Sequence, residues 1–149
     1  RFYDVPDDLT PAGFSFAEAA DLLGYRLSGD LVPGGALTVD LVWRSRVVTS
    51  HSLKVFVHVL GADGLPAAQS DAVPVQGLRQ TSGWLPEEVI VDTHQIVLPD
   101  TLSPGAYTLE VGLYDPATGA RVAVRPADTN ANGPAQDTVE LQTIVLLAR

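Results

Sequence analysis

The chain has 149 residues, 46% of them hydrophobic, which suffices for one domain with a packed core; 18 acidic against 9 basic residues leave a formal net charge of −9. No cationic track exists among the basic residues, nearly all of them arginine, so binding by displacement of counterions from a nucleic acid is excluded. The absence of cysteine removes disulfides, zinc–thiolate sites and thiol nucleophiles, and no apolar run approaches the roughly 18 residues of a membrane helix.

The sequence starts at Arg1 and contains no methionine, so it is expected to be a piece of a longer protein whose signal peptide, anchor or catalytic part lies elsewhere. Residues 1–13, RFYDVPDDLTPAG, carry two prolines and no periodicity, and suit a linker or lead-in segment; residues 14–149 then form a single domain. Phe14, Phe16 and the run LLGYRL fit strand with a kink at Gly24, and LVPGG at Leu31–Gly35 is a turn. From Ala36 to Val47 the sequence alternates, with Leu37, Val39, Leu41 and Trp43 on one face and Thr38, Asp40, Val42 and Arg44 on the other.

The stretch LKVFVHVLGADGLPAAQSD, Leu53 to Asp71, reads as a β-hairpin: Val55, Val57 and Val59 alternate with Lys54, Phe56 and His58, and Gly61–Gly64 supplies the connection. After Asp71 comes AVPVQGLRQTSGWLPEE, aperiodic and longer than most loops, hence a functional loop or a crossover. Val89–Leu98 is β-branched and ends at Pro99; in Ala106–Tyr114, Tyr107, Leu109, Val111 and Leu113 face inward and Thr108, Glu110 and Gly112 outward. DPATG at Asp115–Gly119 is a hairpin turn with Arg121–Arg125 as its return strand, Pro126–Asp137 is a loop, and Thr138–Leu147 is a final strand. Eight or nine short strands without a helix predict an all-β, two-layer antiparallel β-sandwich, immunoglobulin-like or jelly-roll.

Few residues form chemistry-bearing constellations. His58, Asp71, Asp92 and His94 are the nearest approach, since two histidines and two aspartates suit a divalent cation; polar side chains on a half-buried sheet face are the commoner use of such residues, and no short ligand spacing favours the metal. D-x-N-x-N-G at Asp128–Gly133 resembles a calcium loop, but its twelfth position is Val139 and no helices flank it; Asp63-Gly64 is weaker still. Glu87 and Glu88 are adjacent and so point apart, and Ser45, Ser50, Ser52, Ser70 and Ser82 lack a nucleophile elbow. Trp84, followed by Leu85-Pro86, either stacks on a sugar or pins the long loop to the sandwich, and the pinning role is the commoner. No cofactor or metal is expected.

In order, LLGYRL, LTVDLVW, VFVHVLGADG, AAQSD, WLPEE leading to VDTHQIVLP, and SPGAYTLEVGLYDPATGAR resemble the β-sandwich region toward the C-terminus of bacterial family 39-type membrane glycosyltransferases, which use lipid-linked sugar donors. The resemblance spans residues 14–147 and is carried by Gly24-Tyr25, Trp43, Phe56–His58, Asp71, Trp84, Asp92, Tyr107 and Gly112–Asp115. The chain departs from it at Glu87-Glu88, where Gly-Glu is usual. In such enzymes the catalytic acids lie in the membrane part, so no catalytic residue carries over. The resemblance implies a non-catalytic, extracytoplasmic accessory or interaction domain of the cell envelope, tethered to the membrane through the rest of its parent. Its partners would be glycan or that membrane part, without inserting into the membrane itself. A carbohydrate-binding module acting through exposed Trp84 is the alternative, with His58, Asp71, Asp92 and His94 as accompanying ligand residues; a free-standing enzyme comes a distant third.

Overall fold

The computed structural model describes residues 3–46, 52–72, 81–127 and 136–149. They contain nine strands: β1 Thr10–Phe16, β2 Ala20–Gly29, β3 Ala36–Ser45, β4 Lys54–Leu60, β5 Pro66–Ala72, β6 Val89–Val97, β7 Gly105–Tyr114, β8 Val124–Pro126 and β9 Val139–Leu146. One short 3-10 turn, Thr81–Gly83, precedes β6. The strands form two antiparallel sheets, β6-β3-β2-β1-β8 and β5-β4-β7-β9, packed face to face as a β-sandwich.

The alternating segments dictate this layering. Leu37, Val39, Leu41 and Trp43 of β3, Val55, Val57 and Val59 of β4, and Leu109, Val111 and Leu113 of β7 are all fully buried, and each such side chain contributes about 1.5 to 3 kcal/mol by leaving water. Tyr107 differs from its expected place in the core: it is half-buried at the sandwich margin, where its hydroxyl donates to the Ser103 carbonyl at 2.7 Å. A phenol at the rim keeps its polar end satisfied while its ring covers the core.

Two boundaries also differ from the sequence reading. β1 begins at Thr10, inside the stretch read as a linker, and pairs with β2 across a tight turn at Ala17–Ala19. The register of β2 against β3 slips between Leu22 and Gly24, the expected kink. Arg121–Arg125 does not return along β7. Arg121 makes a single bridge to Tyr114, after which Val124–Pro126 joins β1 in the opposite sheet. The cause is occupancy: β4 and β9 hold both edges of β7, so the chain after the Asp115 turn has no ladder left to extend there.

The β4–β5 hairpin forms as expected, with Gly64 at φ 77° and Asp63 Oδ1 accepting from Leu65 N at 3.0 Å. Asp63 is thereby accounted for as a turn residue. The D-x-N-x-N-G segment lies outside the described residues.

Candidate functional site

The register separates the four residues that the sequence grouped. Phe56 pairs with Asp71 and His58 with Gln69, so Asp71 and His58 face outward from the β5-β4-β7-β9 sheet. Asp92 and His94 pair with Leu41 and Val39 and face into the sandwich, where they are 0% and 2% exposed. The four cannot converge on one ion, and among the described residues no group of three or more candidate ligands does so.

The inward pair belongs to a polar relay. His94 Nε2 lies 2.6 Å from Asp92 Oδ2, the Trp43 indole N–H donates to the same oxygen at 3.3 Å, and Ser70 Oγ is 3.2 Å from His94 Nδ1. A carboxylate only accepts, so Nε2 carries the proton toward Asp92; in a neutral ring Nδ1 then accepts from the Ser70 hydroxyl. Ser70 is on β5 and the other two on β6, the edge strands of opposite sheets, so the relay ties the sandwich shut along that side. Hydroxyl, imidazole and carboxylate follow the order of an acyl-transfer triad, but Ser70 pairs with Val57 on the inner face and its hydroxyl is engaged in joining the sheets.

Outside, a different group assembles. Gly112 is the cross-strand partner of Phe56, and a Cβ there would land inside the Phe56 ring, so the bare backbone lets that ring lie flat on the sheet, 2% exposed. The Arg121 guanidinium covers it, 4.6 Å from the ring centroid, and the rings of His58 and Tyr114 flank it at 4.7 and 6.3 Å. His58 Nδ1 donates to Glu110 Oε1 at 3.1 Å, and Arg121 reaches Asp137 at 3.5 Å. Phe56, His58, Asp71, Tyr114, Gly119 and Arg121 line an open recess of about 260 Å³. Burial, and secondarily the Asp71 charge, hold the Tyr114 phenol above its ordinary pKa.

The turn after Tyr114 sets the rim. Asp115 Oδ1 accepts from Ala117 N at 2.9 Å and its carbonyl from Gly119 N at 2.7 Å, folding the chain back so that Arg121 lies over the sheet. Gly112→Ala should displace the Phe56 ring and its arginine cover, lowering stability by about 1 to 3 kcal/mol, the usual cost of overpacking. Chemical denaturation reads it; an unchanged midpoint would mean that the ring does not rest on the glycine.

Trp84 is 2% exposed, its ring 6.5 Å from that of Trp43. It therefore pins its loop to the core, the commoner of its two expected roles, and at this exposure its ring presents no open face for stacking on a sugar. Thr81 helps, its hydroxyl accepting from Leu53 N at 2.8 Å, whereas Leu85 points to solvent at 56% exposure; Val73, Val75 and Leu78 lie outside the described residues. Glu87, the position that departs from the resemblance, has φ 65°. That left-handed conformation favours glycine, so Glu87→Gly should raise stability by up to about 1 kcal/mol, strain relief of about 1 to 2 being partly offset by backbone entropy. A lowered melting temperature would contradict it. Glu88 is buried and its Oε1 accepts from Leu85 N at 3.0 Å, so the Glu87-Glu88 pair does point apart.

Of the recess residues, the sequence singled out His58 and Asp71 as candidate ligands and missed their grouping with Phe56, Tyr114 and Arg121. The available signal was a glycine, Gly112, on the outward face of an alternating strand, which marks a close approach. No family model, no curated protein and no solved structure matches the chain.

Proposed function

We propose that this chain is a non-catalytic, extracytoplasmic accessory domain of a family 39-type membrane glycosyltransferase, acting as an interaction module. The observation that carries the reading is the outward recess on the β5-β4-β7-β9 sheet, where ring, carboxylate and phenol sit on paired strands and the Arg121 guanidinium is laid over them by the turn after Tyr114, in the manner of a binding face. The inward relay supports it from the other side, since its serine, histidine and aspartate already serve to join the sheets.

The test uses the full-length parent protein. Its coding sequence should place membrane helices beyond residues 1–149, and deletion of residues 14–149 should leave that membrane part inserted while lowering sugar transfer from a lipid-linked donor. The isolated chain should show no transfer. A parent without membrane helices, or transfer unchanged by the deletion, would overturn the proposal. The carbohydrate-module reading is kept for one reason: the recess offers the aromatic and polar groups that buried Trp84 does not.

A further inference from the structure

We propose that the recess bounded by Phe56, Asp71, Tyr114 and Arg121 binds one neutral pyranose residue of a glycan. The inference deepens the interaction-module reading and rests on it for the premise that the domain binds its ligand without transforming it.

Three features of the recess select this ligand class. The first is balance of charge. Asp71 faces the opening with a carboxylate, and Arg121 faces it with a guanidinium. An anion would meet Asp71 and a cation would meet Arg121, whereas a neutral polyol uses both, its hydroxyls donating to the carboxylate and accepting from the guanidinium. The second is the ring surface. The Phe56 face is covered by Arg121, but Tyr114 is half-buried, tilted 47° to Phe56, and lines the recess, so its ring can take the apolar face of a sugar. Its hydroxyl has no hydrogen-bond partner among the described residues, and a protonated phenol can donate to or accept from a sugar hydroxyl.

The third is preorganisation. Asp71 Oδ2 is oriented by Gln69 Nε2 at 3.3 Å, His58 is held by Glu110, and Arg121 is steadied by Phe56 and Asp137. These contacts lie within or beside the paired strands β4, β5 and β7, so little side-chain ordering remains to be done on binding. The volume of about 260 Å³ suits a single ring with the remainder of a chain extending into solvent.

The intact 149-residue chain, labelled and applied to an array of neutral mono- and oligosaccharide glycosides, should be retained on a subset sharing one terminal residue. Titration calorimetry with the corresponding methyl glycoside should then give saturable binding. Tyr114→Ala should abolish it, and Asp71→Ala, at an exposed position on an edge strand, should weaken it by about tenfold or more with an unchanged melting temperature. Val97→Ser, an exposed change on the opposite sheet, should leave affinity as it was. Retention on no neutral glycan, retention on anionic glycans only, or affinity that survives both Tyr114→Ala and Asp71→Ala would overturn the site. An empty array removes the sugar site while the deletion experiment still decides the accessory role; unchanged transfer on deletion removes that role while a bound sugar still stands.

Discussion

Trp84→Ala is expected to lower the stability of the fold by about 3 to 5 kcal/mol, the usual range for truncating a buried aromatic side chain. The indole is 2% exposed and meets Trp43, which in turn contacts Phe16 edge-on at 5.0 Å, so its removal opens a void at the end of a continuous aromatic row. The loss also reaches the loop. Ordering backbone costs about 1 to 2 kcal/mol per residue, and Trp84, together with Thr81, is a buried side chain that holds this segment to the core. A urea titration of the variant measures the effect. A midpoint equal to that of the unsubstituted chain would show that the loop is held by something else, and would reopen the reading in which this tryptophan meets a ligand.

Asp92→Ala is expected to cost a similar amount, about 2 to 6 kcal/mol, for a different reason: two buried donors lose their acceptor at about 1 to 3 kcal/mol each. Trp43 Nε1 and His94 Nε2 both converge on Asp92 Oδ2 in a fully buried setting, and removing the carboxylate leaves two donors facing each other without an acceptor. An orphaned buried polar atom bears its whole desolvation cost, about 1 to 3 kcal/mol; removing the Ser70 hydroxyl orphans one such atom, His94 Nδ1, whereas removing the carboxylate orphans two. Ser70→Ala should therefore be the milder change, and the ranking is the test. Equal losses for the two variants would mean that the carboxylate does not organise the relay. Because Ser70 joins β5 to β6 across the sandwich edge, hydrogen exchange should also rise on those two strands before the others in Ser70→Ala.

The relay shows how far a sequence can be read at this site. Asp92 and His94 share a parity with Ile90 and Ile96, so alternation in β6 puts them on the core face, although polar side chains such as these are expected on a half-buried one. Likewise Ser70 and Asp71, being consecutive on β5, had to face opposite ways. What alternation cannot supply is a neighbour: nothing local says that the edge of one sheet brings Ser70 to His94, a contact between residues 24 positions apart. The same limit hid the recess. Phe56 lies on Gly112 because β4 pairs with β7 in one particular register, and a slip of a single residue would send that ring into the core.

The sequence by itself determined the layers and the inner face of the central strands, because a period of two is a local property that burial converts directly into orientation. It determined the hairpins at Gly61–Gly64 and Asp115–Gly119 as turns, through side chains that bond their own backbone. Only the tertiary structure decided where the chain goes after a turn. Arg121–Pro126 carries the composition of a return strand, yet it crosses to β1 because β9, arriving from later in the chain, takes the edge of β7. It was this crossing that left Arg121 over Phe56 and made a recess of a plain sheet face, since competition for a strand edge is settled among distant segments and leaves no mark in any one of them.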